Sequence, residues 1–488
     1  MYNVQRIIYI FVSPIFLQLL KHILFYALDI TIKERIFMQR EKLSSRLGFI
    51  LLSAGCAIGI GNVWKFPYIA GQNGGAIFIL IYLFFLLVLG IPVMTMEFAI
   101  GRAAQRSIAT MYQKLEPKGS KWHLHRWLGI AGNTLLMMFY TTVAGWMLKY
   151  FVDTLSGKFV GLSPEAIGEQ FNVMLSDPVS NVFYMVIIVL VGFGICAIGL
   201  QNGLEKITKV MMIALLLLMV VLAGNSIFLD GAKEGLAYYL LPDWDRFLAI
   251  GPFNVIVSAM NQAFFTLSLG IGSMAIFGSY IDKNRSLLGE SINIAILDTF
   301  VAFTAGLIII PACFAFNVDV NSGPNLIFIT LPNVFNQMAL GQLWGALFFL
   351  FMTFAAFSTV LAVFETIIAF FMDSYGWSRK KVCLFACIAI LILALPCALG
   401  FNVLSFIQPL GQGTTILDFE DFLVSNLLLP FGSLLFVLFC TTKIGWGWDN
   451  FIEEANTGIG IKFPRWVHAY CNYAIPVIIA TILIIGLL

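Results

Sequence analysis

Eleven apolar stretches, each about as long as a membrane-spanning helix, constrain the fold of this chain more than any other feature of its sequence. The bilayer core offers no water to backbone N–H and C=O groups, so segments that cross it fold as helices. Charged residues make up 11% of the 488 residues, against about 25% in an average soluble domain. We therefore predict an all-α integral membrane protein. Its eleven transmembrane helices are predicted at residues 46–70, 77–101, 127–153, 180–199, 205–228, 253–280, 287–314, 342–372, 381–399, 417–440 and 466–487.

The distribution of basic residues among the loops predicts the orientation in the membrane. Alternate loops, beginning with the segment around Arg46, hold 19 lysine and arginine residues, whereas the opposite loops hold only Lys158, Lys233 and Arg246. Cytoplasmic loops are enriched in Lys and Arg. We therefore expect a cytoplasmic N-terminus and an outer C-terminus in the cell (inner) membrane, with the lipid bilayer as a partner.

The first 37 residues are apolar but lack the small-residue cleavage site of a signal peptide. We interpret residues 1–37 as an extension from an upstream, misassigned start codon or as a peripheral helix. The transmembrane domain is assigned to residues 38–488.

Two of the predicted spans are interrupted by closely spaced glycines. The first span contains AIGIGN at 57–62, and the sixth contains SLGIGS at 268–273. Each glycine weakens a helix by roughly 1 kcal/mol relative to alanine, and unwound backbone in a bilayer must find its partners inside the protein. A close helix crossing is an alternative, because Gly55 and Gly59 form a GxxxG pair. Interruptions in corresponding positions of two halves favour a transporter binding site at the membrane midplane.

Few polar side chains lie within the spans, and charged ones usually face the interior of a helix bundle. They are Lys65, Glu97, Asp298, Glu365 and Asp421, joined by Asn62, Gln262, Thr266, Ser268, Ser358 and Thr359. Carbonyls freed at a helix break, hydroxyls and a carboxylate are the oxygen ligands that a hard cation such as sodium prefers. Two structural alternatives stay open. Ser358 and Thr359 can bond back to the preceding turn, and Glu97 can serve only as an anchor.

Other functional classes find no support in the sequence. The eight cysteines are scattered through apolar segments, and the four histidines lie far apart except for His123 and His125 in a basic loop. There is no HExxH or GxSxG motif and no basic tract typical of nucleic-acid binding. We expect neither an enzyme nor an organic cofactor.

These motifs resemble those of the neurotransmitter:sodium symporters, in their bacterial amino-acid branch. The resemblance covers about residues 38–488 and is carried by RLGFILLSAGCAIGIGNVWKFPYIAGQNGG at 46–75, PVMTMEFAIGR at 92–102, QAFFTLSLGIG at 262–272 and the pair Ser358–Thr359. It implies two inverted five-helix repeats whose first helices, the first and sixth spans, are unwound at the centre, with an eleventh span outside the repeats.

The resemblance implies two sodium sites. The first would use the Ala57 carbonyl, the side chains of Asn62, Thr266 and Asp298, and the substrate carboxylate. The second would use the carbonyls of Gly55, Ile58 and Ala355 and the hydroxyls of Ser358 and Thr359. Sodium is thus the expected coupling ion.

The same resemblance places a substrate between the two breaks. Its carboxylate would meet the amides of Ile60 and Gly61 and the hydroxyl of Tyr140, and its amino group the carbonyls of Ala57, Phe265 and Thr266, near Ser268. The walls would be Leu136, Tyr140, Phe265, Ile271, Val360 and Val363. Monoamine transporters of the family carry aspartate where this chain has Gly59, so an α-amino acid is favoured. Uncharged walls favour an apolar or aromatic side chain.

Departures from the family pattern add further expectations. Asp298 replaces a common asparagine and Ala302 a hydroxyl of the chloride site, while other parts of that site are kept by Tyr82, Gln262 and Thr266. We expect transport that does not require chloride. Lys65 would replace the usual arginine opposite Asp421 in the outer gate.

The inner gate would pair Arg40 with Asp373. The sequence therefore predicts a symporter that imports a neutral amino acid with sodium, with two ions inferred from the two sites. A transport-inactive amino-acid sensor with the same pocket is the alternative.

Overall fold

The computed structural model describes residues 41–316 and 326–487. The expected extension at 1–37 and the gate residue Arg40 lie outside this part of the chain. The α-helices of the described residues are α1 (Arg46–Ala57), α2 (Phe66–Gln72), α3 (Ala76–Phe85), α4 (Ile91–Ala104), α5 (Met111–Leu115), α6 (His125–Leu155), α7 (Pro164–Ser176), α8 (Pro178–Ile198), α9 (Lys206–Ile227), α10 (Ala232–Leu240), α11 (Trp244–Ile250), α12 (Pro252–Phe265), α13 (Ser273–Gly278), α14 (Leu287–Ala315), α15 (Leu331–Gln337), α16 (Gly341–Tyr375), α17 (Arg379–Leu393), α18 (Leu395–Leu399), α19 (Ile416–Phe422), α20 (Leu429–Thr441), α21 (Trp448–Ala455) and α22 (Ile475–Leu487).

Short helical turns of other types extend or precede several of these helices. Turns of π-helix lie at Gly61–Lys65, Leu86–Gly90, Leu200–Glu205, Leu326–Thr330, Leu423–Leu428 and Tyr470–Ala474, and 3-10 turns at Trp122–Leu124 and Arg465–Val467. The β-structure of the described residues is a single isolated bridge between Arg285 and Ile459.

The predicted spans all correspond to helices or interrupted helices. Within the described residues, nine helices are long and apolar enough to cross a membrane, and two bent pairs also qualify when each is taken as one span. The first span is such a pair, because α1 and the segment 61–72 meet at 60°. The sixth span consists of α12 and α13, separated by an irregular turn at 266–272. The predicted boundaries agree with the observed ones to within five residues.

The two longest helices form the support on which the interrupted spans lie. α6 has 31 residues and α16 has 35, and they pack against each other. α16 also contacts α1, α8 and α9, while α13 packs on α4. Small residues make the close approaches possible, as at Gly101, where an added Cβ would lie 1.8 Å from the Ala275 carbonyl oxygen.

The break in the sixth span depends on glycine conformations. Ser268, Gly270 and Gly272 all have positive φ, of 50°, 102° and 81°. Gly270 also lies directly against the tenth span, where an added Cβ would be 2.1 Å from the Leu429 carbonyl oxygen. An L side chain at this position would be strained in its backbone and would overlap its neighbour.

We predict that Gly270→Ala lowers the thermal unfolding temperature of the purified protein in detergent. Overlap of this kind costs about 1–3 kcal/mol in addition to backbone strain. Gly411→Ala is the matched control, because Gly411 has φ of 113° but no atom within 4 Å of the added Cβ. Equal unfolding temperatures for the two variants would contradict the role assigned to this contact.

Candidate functional site

A cavity of about 310 Å³ lies between the breaks of the first and sixth spans. Its walls are mostly apolar, with polar groups at the breaks, the hydroxyls of Tyr68, Tyr140 and Thr359, and two charged residues, Lys65 and Asp421. The lining residues are Cys56, Ala57, Gly59, Ile60, Gly61, Asn62, Trp64, Lys65, Tyr68, Leu136, Phe139, Tyr140, Val143, Phe265, Thr266, Ser268, Thr359, Leu417, Asp421, Val424 and Leu429.

One buried cluster connects the first span with the sixth and seventh. Asn62 Nδ2 donates to Asp298 Oδ1 at 2.7 Å and to Thr266 Oγ1 at 3.0 Å. Thr266 Oγ1 in turn donates to Asp298 Oδ2 at 2.9 Å, and Asn62 Oδ1 accepts from the Gly59 N–H at 3.2 Å. All three side chains are buried. The structure therefore brings together the side chains predicted for the first sodium site.

A second buried cluster connects the first span with the eighth. Thr359 Oγ1 lies 3.2 Å from the carbonyl oxygens of both Gly55 and Ile58, between which its single proton is shared. Ser358 Oγ lies 2.9 Å from the Ala355 carbonyl oxygen and 3.5 Å from that of Ile58. Each of the three carbonyls predicted for the second sodium site therefore lies within hydrogen-bonding distance of the Ser358 or the Thr359 hydroxyl. Bonding back to the preceding turn does not account for all of these contacts. Only the contact of Ser358 with Ala355 lies within α16, and the others reach the first span.

The break of the first span presents backbone groups to the cavity. The Ile60 N–H donates to Tyr140 Oη at 2.9 Å. An added Cβ at Gly59 would lie 2.4 Å from the same Tyr140 oxygen and 2.9 Å from Thr359 Oγ1. Ser268 Oγ, from the other break, lies 3.4 Å from the Cys56 carbonyl oxygen. The backbone of Ile60 and the hydroxyls of Tyr140 and Ser268 thus belong to residues that line the same cavity.

Three residues expected in the pocket wall do not line this cavity: Ile271, Val360 and Val363. All three are fully buried. The side chain of Ile271 faces α6, where it would lie 2.6 Å from a Cβ at Gly132, and Val360 faces Gly192 of α8. Their side chains therefore fill the helix packing around the site.

Other wall residues were not predicted from the sequence. Phe139 and Val143 line the cavity together with Leu136 and Tyr140, at the spacing of one face of α6. That helical periodicity is the signal that would have identified them. Leu417 and Val424 flank Asp421 by one helical turn on either side in the same way.

The predicted outer gate is not closed by an ion pair in the described chain. Lys65 Nζ lies 4.1 Å from the centroid of the Phe265 ring, and Asp421 Oδ1 accepts from Ser425 Oγ at 2.7 Å. Both gate side chains line the cavity. Two charged side chains, each with a different partner, therefore lie in the cavity wall.

Polar contacts outside the cavity wall hold the predicted inner-gate acid and a buried glutamate. Asp373, the predicted inner-gate acid, accepts from the Ser107 N–H at 2.6 Å. Glu365, fully buried, binds Arg379 and accepts from Tyr280 Oη at 2.5 Å. The sequence had marked Glu365 only as a charge within a span.

Glu97 binds the backbone of the sixth span, in agreement with the structural role considered for it above. Its Oε1 accepts from the Gly270 N–H at 2.5 Å, within the break of the sixth span. This hydrogen bond satisfies one backbone amide that the break releases.

Comparison with known proteins identifies the family. The model described as "Sodium:neurotransmitter symporter family" matches residues 40–163 and 169–488. The chain is 37% identical over 401 residues to the uncharacterized sodium-dependent transporter YhdH of Bacillus subtilis, covering 82% of this chain and 87% of that protein. It is 31% identical over 463 residues to the uncharacterized sodium-dependent transporter MJ1319 of Methanocaldococcus jannaschii, covering 91% and 90% of the two chains.

A solved structure shows the same likeness in three dimensions. The crystal structure of MhsT in complex with L-phenylalanine superposes with a TM-score of 0.82 at 35% identity, covering 92% of this chain and all of that one. This likeness confirms the expected all-α membrane architecture of two inverted five-helix repeats with unwound first and sixth helices. The chain belongs to the sodium:neurotransmitter symporter family and is therefore a sodium-dependent membrane transporter rather than an enzyme.

Proposed function

We propose that this protein imports a neutral apolar or aromatic α-amino acid together with two sodium ions by alternating access. It would lie in the cell (inner) membrane with its N-terminus in the cytoplasm and its C-terminus outside. The observation that carries the proposal is the cavity between the two breaks, which combines backbone polar groups at one end with apolar walls. Such a site suits a zwitterion with an apolar side chain.

The proposed carboxylate position is the break of the first span. The Ile60 N–H donates there to the Tyr140 hydroxyl oxygen, and the amide of Gly61 follows at the start of the next helical turn. A substrate carboxylate would take the place of that oxygen as acceptor and would also accept from the hydroxyl. Helix N-termini attract anions, because their first N–H groups lack intrahelical partners. Carbonyls of Ala57, Phe265 and Thr266 would accept from the substrate amino group, near Ser268.

The two buried clusters are the proposed sodium sites. In the first, Asn62, Thr266 and Asp298 would join the Ala57 carbonyl and the substrate carboxylate, so ion and substrate would bind cooperatively. In the second, Ser358 and Thr359 would turn their oxygen lone pairs to the ion that the neighbouring carbonyls also contact. Oxygen donors of these kinds suit a hard cation.

Two ions would supply a large driving force. One charge that crosses about 100 mV gains roughly 2.3 kcal/mol, so two sodium ions with a zwitterion gain about 4.6 kcal/mol from the voltage. Each tenfold concentration ratio of the amino acid across the membrane costs about 1.4 kcal/mol, so the voltage alone supports roughly a thousandfold accumulation. The sodium concentration gradient would add to this.

The wall composition supports the substrate class. Leu136, Phe139, Val143 and Phe265 provide apolar surface, and the charged residues Lys65 and Asp421 form the outer border. A charged substrate side chain buried among these walls would cost several kcal/mol without a partner. The similar transporter MhsT was crystallised with L-phenylalanine, which also favours an apolar or aromatic amino acid here.

Independence from chloride is part of the proposal. Asp298 would supply the negative charge that chloride provides elsewhere in the family. Position 302 is a buried alanine without a hydroxyl, and both polar atoms of the buried Gln262 amide lack a hydrogen-bond partner in the described chain. An anion site with these residues would lack one donor that the family pattern supplies.

Uptake into proteoliposomes under an inward sodium gradient tests the proposal. We expect accumulation of labelled L-leucine, L-phenylalanine, L-tyrosine or L-tryptophan that disappears when sodium is replaced by choline and is equal in chloride and gluconate. Saturable binding without flux would instead favour the sensor. A requirement for chloride would contradict the role given to Asp298.

The double variant Ser358→Ala/Thr359→Ala tests the second sodium site. Loss of two of its five oxygen ligands is expected to reduce uptake at least tenfold and to weaken its dependence on sodium concentration. Thr353→Ala is the matched control on the same helix, because the Thr353 hydroxyl only bonds back to the Phe349 carbonyl at 2.7 Å. Unchanged sodium dependence of the double variant would refute this site.

Gly59→Ala tests the proposed carboxylate position. The new methyl group would displace the Tyr140 hydroxyl, so we expect at least a tenfold weaker affinity for the amino acid in a sodium-dependent binding assay. Gly224→Ala on α9 serves as the control, since its added Cβ meets no atom within 4 Å. If both variants bind the amino acid as tightly as the unmodified protein does, the substrate carboxylate does not lie at this break.

A further inference from the structure

The loop between the second and third spans carries an excess of positive charge. From residue 103 to residue 127 the sequence holds one acidic residue, Glu116, and five basic ones: Arg106, Lys114, Lys118, Lys121 and Arg126. Glu116 Oε1 lies 2.7 Å from His123 Nδ1, and Glu116 Oε2 accepts from Ser120 Oγ at 2.7 Å. Among the described residues, none of the five basic side chains forms an ion pair.

One side of this loop is fixed to the tenth span. Tyr112 Oη and His125 Nδ1 lie 2.6 Å apart, and the two buried rings both pack against Phe436 of α20. Trp122 Nε1 donates to the Ile444 carbonyl at 2.8 Å, in the segment that follows α20. Because these contacts hold the loop in place, its remaining side chains are presented to the surroundings in a defined arrangement.

The remaining side chains combine positive charge with large apolar groups. Leu124 and Trp127, three residues apart and therefore on one side of the helical chain, are 52% and 53% exposed. The Arg126 guanidinium lies 4.8 Å from the centre of the Trp127 ring. Lys118 and Lys121 are also exposed. We refer to Lys118, Lys121, Leu124, Arg126 and Trp127 as the basic surface.

The length of the third span places the basic surface at the level of the lipid headgroups. The helical segment Trp122–Leu155 has 34 residues. At 1.5 Å per residue it is about 51 Å long, which exceeds the hydrocarbon core of a bilayer by about 20 Å. Shared equally between the two ends, this excess places about seven residues at each end outside the hydrocarbon core. Residues 122–128 then lie where tryptophan side chains are enriched in membrane proteins.

The combination of charge and apolar surface selects the kind of ligand. Each Lys or Arg near an anionic membrane surface gains about 1 kcal/mol, so the three basic side chains favour phosphate groups without a neutralising choline. A free anion in water would leave Leu124 and Trp127 exposed to solvent. A phospholipid covers them as well, because its acyl chains begin next to its phosphate group.

We propose that the basic surface binds anionic phospholipids of the cytoplasmic leaflet. Lys118, Lys121 and Arg126 contact the phosphate groups, and Leu124 and Trp127 contact the adjoining parts of the acyl chains. The choice of leaflet rests on the orientation given in the proposed function. The binding itself requires neither the proposed substrate nor the proposed sodium sites.

Tryptophan fluorescence in nanodiscs tests the proposal, because brominated acyl chains quench the tryptophans that they contact. The discs contain phosphatidylcholine and a minority of phosphatidylglycerol, and either the phosphatidylglycerol or an equal amount of phosphatidylcholine is brominated near the glycerol. The signal of Trp127 is the difference between the unmodified protein and Trp127→Phe. We expect brominated phosphatidylglycerol to quench this signal at least twofold more than brominated phosphatidylcholine. Equal quenching by the two lipids would overturn the proposal.

The triple variant Lys118→Gln/Lys121→Gln/Arg126→Gln tests the charges. We expect it to lose the preference of Trp127 for brominated phosphatidylglycerol. The matched control Lys206→Gln/Lys380→Gln/Lys443→Gln removes the same charge from exposed residues of three other loops that we place in the cytoplasm. This control is expected to keep the preference, and an equal loss in both variants would overturn a specific site. If the triple variant does not fold, Lys118→Gln/Lys121→Gln replaces it with the same expected direction.

Inorganic phosphate distinguishes a lipid site from a site for a free anion. We expect the preference for brominated phosphatidylglycerol to persist in excess inorganic phosphate at constant ionic strength. Loss of the preference under these conditions would overturn the assignment to a phospholipid. The fluorescence measurements involve no transport, so absence of sodium-dependent uptake counts against the proposed function alone, and absence of a lipid preference counts against the basic surface alone.

Discussion

Backbone N–H and C=O groups released inside a membrane helix must find partners within the protein, and the arrangement of this site depends on that requirement. The first span stops being helical at Ala57 and resumes at Gly61. Between these residues, the Ile60 N–H finds Tyr140, and the Ile58 carbonyl finds Thr359. The partners come from α6 and α16, the two long helices that pack together. The two long helices thus supply hydrogen-bond partners to two of the backbone groups that the interruption releases.

The two buried clusters join the interrupted first span to other spans, and the proposed coupling of sodium to substrate depends on these contacts. One cluster joins the first span to the sixth and seventh through Asn62, Thr266 and Asp298. The other joins the first span to the eighth through Ser358 and Thr359. An ion bound at either cluster would contact two or more spans at once, so its arrival or departure would change how those spans are held together. In the proposed function, this is how sodium would control access to the substrate.

The sequence predicted the spans well because each is a long apolar run, and the breaks because glycine pairs interrupt two of those runs. The contact of Thr359 with Gly55 joins residues 304 apart, and no periodicity reveals such a pairing; only the family resemblance suggested it. Helical spacing predicts which residues of a helix share a face, but it does not predict which of several buried faces borders a cavity. Val360 follows Thr359 directly, yet its side chain faces α8, whereas Phe139 borders the cavity and was not anticipated.

The net charge moved per transported amino acid tests the central claim most directly. Electrical current and labelled uptake would be measured on the same proteoliposomes under a sodium gradient. Two sodium ions with one zwitterion predict two positive charges per amino acid, in chloride and in gluconate alike. One charge per amino acid would contradict the second sodium site, and electroneutral uptake would contradict the proposed coupling altogether.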